Sequence, residues 1–465
     1  MTTQPGEPRP APPPRPAPRR PRALGWPLRA ALAGNFALRV AGAATGILLT
    51  RYLAYIDDAV YPVGAATVGA LTGGFYATEL VAAPLLGALG DRRGWRALLL
   101  LGPALGAVAL GLTAATTVLA ALLLARLLEG LSAAAAVPAV LGRLGEATEG
   151  DAARRGRALS VFEATTALGT LVGVAAAAGL WVALGRGAFL AVAALYLVAL
   201  GCFLPVSETR QSRRAGAPGG ARSWRASLAL VANQRQLRAF LPGWLCIGAI
   251  TGLWFSHGLY QLQVRRPAGA GQYLAGRFAG DDTGLFVALL LYAVTFSVGA
   301  LLWGYVGLRR LPEMAVMCVA LAAMFGVCAA LWALNHGGDD AGRRTLLVAV
   351  FLGLLLVESG FAPAAVAYLA RLSGHVASER GLVMGLYSVV SGGGALLGTA
   401  LGAPFADRLA LDGVLLATVL LAAIALLLLG TLREPGEPGA SPDRAPPHRP
   451  GSALPGPMRD ADDPR

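Results

Sequence analysis

The 465-residue chain has no lysine and only four cysteines, and charged residues make up 14% of it. Soluble proteins carry about 25% charged residues, so an ordinary soluble globular protein is excluded. The missing lysine, beside abundant Ala, Gly and Arg, reflects coding bias rather than function. Cys202, Cys246, Cys318 and Cys328 lie scattered within apolar runs, without metal-ligand spacing, and read as packing residues. No metal-ligand cluster, nucleophile–base constellation or phosphate loop stands out, so no cofactor or metal is expected and an enzyme is disfavoured. The formal net charge of +13 would point a soluble chain towards nucleic acid. Here every basic residue is an arginine, and these collect in tails and alternate loops, so a membrane explains them and no nucleic-acid partner is expected.

What the chain does have is apolar sequence. Hydrophobic residues reach 55% and mean hydropathy is +0.59. The apolar runs repeatedly exceed the roughly 18–20 residues that cross a bilayer. Spans are expected at about 30–55, 63–87, 97–117, 119–142, 160–184, 188–206, 238–262, 284–307, 312–334, 345–370, 382–405 and 412–432. An even number puts both termini on one side. The loops sharing that side hold about 18 arginines against about 7 opposite, so both termini are expected to be cytoplasmic. Residues 1–27 and 433–465 are Pro-rich and polar and read as disordered tails. The Arg-rich segment 207–237 divides the spans six from six, and Trp224–Val231 within it reads equally as an interfacial helix or a plain linker.

Between the second and third spans lies Gly87–Arg96, reading Gly-Ala-Leu-Gly-Asp-Arg-Arg-Gly-Trp-Arg. Gly87 and Gly94 suit close helix approach and positive φ, and Asp91 is placed to bond nearby arginines or a helix N-terminus. This stretch resembles the signature loop of major facilitator superfamily transporters, G-x-x-x-D-R-x-G-x-R, with Gly87, Asp91, Arg92, Gly94 and Arg96 at the required spacing. Arg126-Leu127-Leu128-Glu129-Gly130 similarly resembles the family's R-x-x-Q-G motif, with Glu129 for the more usual Gln. The resemblance covers residues 28–432. It implies an all-α membrane protein of twelve helices in two pseudo-symmetric six-helix bundles, 28–206 and 238–432, alternating between inside-open and outside-open states. It also implies a bacterial cytoplasmic membrane, a monomer embedded in the lipid bilayer, and a small-molecule substrate with the proton as coupling ion. By the same resemblance, Arg126 is associated with coupling or substrate binding. Asp91 would latch the cytoplasmic side with Arg92, Arg143 or the helix start near Gly381.

The halves echo each other, as transporter halves do. Leu128-Glu129-Gly130, Arg157 and Gly169-x-x-x-Gly173 recur as Val357-Glu358-Ser359-Gly360, Arg380-Gly381 and Gly394-x-x-x-Gly398-x-x-x-Gly402. A worn copy of the signature loop keeps Gly304, Arg309 and Arg310 but has Leu308 where Asp91 would fall.

Charges inside a membrane are functional candidates by default. At 1.5 Å per residue, Arg39 lies ~15 Å in from Arg29, and Glu79 ~18 Å in from Asp91, both near mid-bilayer. Arg126 and Glu129 share one helix face. These four read either as a neutral structural network or as a network with a transport role. Glu358 lies ~20 Å from the nearest arginines on its own helix. It is open to two readings: a lone carboxylate that cycles between neutral and charged forms, or one neutralised by an arginine from the other half. Glu163, ~9 Å inward from Arg157, serves an inner gate or snorkels. His257 reads more readily as a hydrogen-bonded helix histidine than as a titrating switch. Asp407 and Arg408 mark a helix end.

Gly169, Gly173 and Gly179 resemble the antiporter motif of drug-exporting members, with Val174 in place of its proline and Ala177 and Ala178 in place of its closing glycines. Two cargo readings follow: proton-driven export of a small hydrophobic compound, or uptake of a sugar or organic anion, for which Arg39 and Arg126 would serve as ligands.

Overall fold

The computed structural model describes residues 25–148, 152–206, 235–265, 271–337, 340–374 and 380–430. All regular structure among them is helical. The first half contains α1 (Trp26–Ala59), α2 (Ala65–Arg93), α3 (Arg96–Ala115), α4 (Leu119–Ala147), α5 (Ala152–Leu184) and α6 (Ala188–Phe203). In the second half α7 runs Arg235–Leu253 and continues through a π-turn, Trp254–Gly258, to Leu259–Gln263. Then come α8 (Asp282–Tyr305), α9 (Glu313–His336) and α10, which comprises Ala341–Glu358 and Phe361–Gly374 around a break at Ser359-Gly360. The helix Arg380–Gly430 is kinked at Ala410, where φ is 53°, and is treated as α11 (380–409) and α12 (411–430). Each expected span falls on one of these helices. Among the described residues, nine helical stretches are long and apolar enough to cross a membrane. The tails and most of the 207–237 linker, including Trp224–Val231, lie outside the described residues.

Helix ends follow local chemistry. Pro27 sits in the first turn of α1, where a missing N–H costs nothing. Asp281 and Asp340 cap α8 and α10 by accepting from the amides of Gly284 and of Gly342 and Arg343. Gly94 ends α2 at φ 90°, a conformation that favours glycine.

The sequence repeat reappears as matched packing. A Cβ at Gly173 would lie 2.3 Å from the Val40 carbonyl oxygen, and one at Gly169 2.7 Å from Arg39 Cβ, so glycines let α5 lie directly on α1. In the second half, Cβ atoms at Gly394 and Gly398 would meet the Leu245 and Ala249 carbonyls at 2.5 and 1.8 Å, so α11 lies on α7. Gly130 seats α4 against Phe75 and Thr78 of α2, and Gly360 seats α10 against Trp303 of α8. The worn copy of the signature loop becomes the α8–α9 connection, with the 3-10 turn Gly307–Arg309.

Hydrogen bonds and ion pairs resolved between described residues of the two halves gather at one face, next to the connections 60–64 and 264–281. Arg51 of α1 pairs with Asp282 of α8, and Asp58 lies 3.4 Å from Arg265. The Tyr260 hydroxyl donates to the Val63 carbonyl at 2.7 Å, Gln263 to Thr50 Oγ1 at 3.2 Å, and the Ala65 amide to Asp407 at 3.0 Å. Beneath them a single apolar cluster joins Leu48, Tyr52, Val63 and Val68 of the first half to Leu259, Tyr260, Leu285 and Leu289 of the second. This face is sealed.

Candidate functional site

Arg126 and Glu129 are buried, at 5% and 2% exposure, and form an ion pair within α4. Gly130 draws α2 close enough for the Arg126 guanidinium to lie 4.7 Å from the centre of the Phe75 ring. Glu129 also reaches the hydroxyls of Thr45 on α1 and Tyr196 on α6. Glu79 on α2 lies within electrostatic reach of Arg39 on α1, and Tyr76 lies within electrostatic reach of both Glu79 and Arg126. The four charges expected from sequence are thus brought into one cluster within the first half, each arginine accompanied by a carboxylate.

Glu358 lies elsewhere, at the end of the first segment of α10. Its electrostatic neighbours are Tyr292 of α8 and Cys328 of α9. Among the described residues no cation lies within electrostatic reach of it. The α10 break beside it is held by Trp303 Nε1, which donates to the Leu356 carbonyl at 3.0 Å. Broken helices of this kind occur where transporters bind substrate and coupling ions.

The signature loop corrects one expectation. A Cβ at Gly87 would meet nothing within 4 Å, so the close approach assigned to it does not occur. Gly90 provides that approach instead: its Cβ would lie 2.2 Å from the Trp95 ring, and the opposite side of the indole fills the space at Gly142 of α4, 2.3 Å away. Trp95 thereby ties the turn to α4, next to buried Arg143. Arg96 directs its guanidinium towards the Leu204 and Val206 carbonyls at 3.5 Å, beyond the end of α6. The side chains of Asp91, Arg92 and Glu163 lie outside the described residues.

Three features went unnoticed in the sequence. Asn35 of α1 donates to Thr165 and Thr166 of α5, both at 3.1 Å. Arg51–Asp282 closes the sealed face; the separation of 231 residues hid the pairing. The stretch 271–280 is strapped to the second half: Asp412 accepts from Gln272, Asn335 and His336 at 3.0, 2.9 and 2.8 Å. On this strap the Tyr273 hydroxyl accepts from Arg277 at 3.2 Å and Arg344 at 3.3 Å, which holds the phenol below its usual value. His257 is hydrogen-bonded, with Nε2 2.8 Å from the Thr399 carbonyl oxygen.

A multi-pass helical membrane protein with interior charges, small-residue helix seams and a broken helix defines the transporter class. The model of the Major Facilitator Superfamily matches residues 31–276 and 267–459, and the chain belongs to that family. Its fold is similar to that of an aspartate-to-alanine mutant of the nucleoside transporter NupG, with TM-score 0.65 and 16% identity over 86% of this chain and 98% of that one. NupG without that substitution gives 0.63 and 14%, covering 88% and 98%. A POT family transporter in complex with 5-aminolevulinic acid gives 0.61 and 13%, covering 86% and 94%. No curated protein sequence matches the chain. Membership of that family makes this chain a transporter of small molecules.

Proposed function

We propose that this transporter exchanges protons for a small, uncharged, mainly hydrophobic compound and carries that compound out of the cytoplasm. One observation carries the cargo class. Arg126 is paired with Glu129 and Arg39 is accompanied by Glu79, so neither cation is left over to hold an anion. Phe75 and Tyr76, packed edge to face at 5.1 Å, add aromatic surface beside these pairs. In this reading the units 28–206 and 238–432 rock about the 207–237 linker, with both termini cytoplasmic. Asp91 latches the cytoplasmic side when the sealed face opens. Glu358, which no described cation faces, carries the coupling proton.

Inside-out membrane vesicles under an imposed pH gradient test this, using a panel of neutral lipophilic dyes and organic anions. Accumulation of neutral dyes that collapses with the gradient is expected. Gradient-driven movement of anions alone would overturn the cargo assignment and favour the uptake reading, in which Arg39 and Arg126 bind an acid group.

A further inference from the structure

One buried titratable group outside the charge cluster sits where the halves meet. His257 is fully enclosed in the π-turn of α7, a helix irregularity that often marks a functional position. Its Nε2 faces the Thr399 carbonyl of α11 at 2.8 Å, which makes Nε2 the protonated nitrogen of a neutral ring. Nδ1 is buried without a hydrogen-bond partner. The ring occupies a slot made by one glycine from each half. A Cβ at Gly69 of α2 would lie 3.6 Å from Cε1 and Nε2, and one at Gly402 of α11 2.7 Å from Cδ2.

The charged groups on the surrounding helices are already engaged. Among the described residues of α11 only Asp407 reaches the ring electrostatically, and it accepts the Ala65 amide. Between Ala65 and Phe75, α2 has no ionisable group. On this part of α1, Arg51 holds Asp282, Asp57 accepts the Val63 amide at 2.6 Å, Asp58 holds Arg265, and Tyr52 donates to the Thr116 carbonyl. On α7 itself Tyr260 donates to the Val63 carbonyl. A second proton on the ring, at Nδ1, would therefore be a buried donor without an acceptor, carried on a cation that nothing pairs directly.

We propose that His257 is a proton-operated bolt on the sealed face. The shut slot accepts only the neutral ring, and a proton taken up at the Nδ1 lone pair from solution on that face holds α2 away from α7 and α11. This deepens the proton-coupled reading above and rests on it only for the rocking of the two halves.

The test uses the full chain in lipid nanodiscs, with the four native cysteines replaced by serine and spin labels at Val118→Cys and Leu409→Cys. Distances are measured between pH 8 and pH 5. One linked proton raises the open-to-shut ratio up to about tenfold per pH unit. His257→Gln retains a donor for the Thr399 carbonyl but takes up no proton, and its ratio should stay flat. His336→Gln, which alters only the strap, should respond to acid as the parent does. Nitrogen-15 NMR of the histidines in the otherwise unmutated chain gives a second readout: the Nε2–H tautomer of His257 should persist for as long as the distances report the shut state. Acid opening of His257→Gln equal to the parent's, a parent that stays shut throughout, or a doubly protonated His257 in the shut state would each overturn the bolt. No cargo enters these measurements, so their failure is separate from failure of the vesicle assay.

Discussion

Replacing Glu129 by alanine leaves Arg126 as a buried cation with the Phe75 ring at 4.7 Å and Tyr76 within electrostatic reach, and with Nε lacking a hydrogen-bond partner. Three magnitudes compete. An interhelical hydrogen bond in a membrane averages about 0.6 kcal/mol. A desolvated cation–π contact is worth about 2 kcal/mol. An unpaired buried charge costs about 3–5 kcal/mol. The last dominates, because burial at 5% and 2% leaves little water to screen the orphan. Glu129→Ala should therefore destabilise the protein by about 3–5 kcal/mol, whereas Arg126→Met with Glu129→Met together should stay within about 1 kcal/mol of the parent. Glu129→Gln, which keeps groups able to meet Thr45 and Tyr196, should fall between them. Tryptophan fluorescence during unfolding by SDS in mixed micelles measures all four states. A single variant as stable as the parent, or a double variant weaker than the single, would refute the charge-pair account.

Gly87→Ala should unfold like the parent, whereas Gly90→Ala, which strikes the Trp95 ring at 2.2 Å, should lose about 1–3 kcal/mol in the same titration. Asp91→Asn should lower transport at unchanged membrane expression; parental rates in vesicles would remove its latch role. Glu358→Gln should uncouple cargo movement from the pH gradient, and undiminished acid-driven flux would count against it. Tyr273 should ionise below the free-phenol value near 10, because Arg277 and Arg344 both donate to its oxygen. Its folded value is depressed, so this contribution to stability is present at alkaline pH and lost as pH falls through that value. Absorbance at 295 nm should begin to rise at lower pH in the parent than in Tyr273→Phe, and coincident curves would contradict this.

The helices were legible because a bilayer demands long apolar runs, and the repeat because glycine spacing is the packing itself: Gly169 and Gly173 match Gly394 and Gly398 in both pattern and contact. The Arg126–Glu129 pair was also readable, since i, i+3 places both on one helix face. Contacts fixed by how distant helices lie together were not readable. Arg51 gives no sign of Asp282, nor Asp407 that it would cap α2 at Ala65. The glycine that matters for packing in the signature loop was misassigned for a related reason. Gly87 fits the motif, but only the position of Trp95 reveals that Gly90 is the one under steric constraint.

The grease between Val68 on one side and Leu285 on the other has a thermal corollary. Attraction between oily surfaces near room temperature is mostly entropic and fades on cooling, while the few charge pairs above it follow no such trend. Chilling should therefore loosen that junction, giving a carrier whose resting posture drifts with temperature even when no cargo or gradient is present.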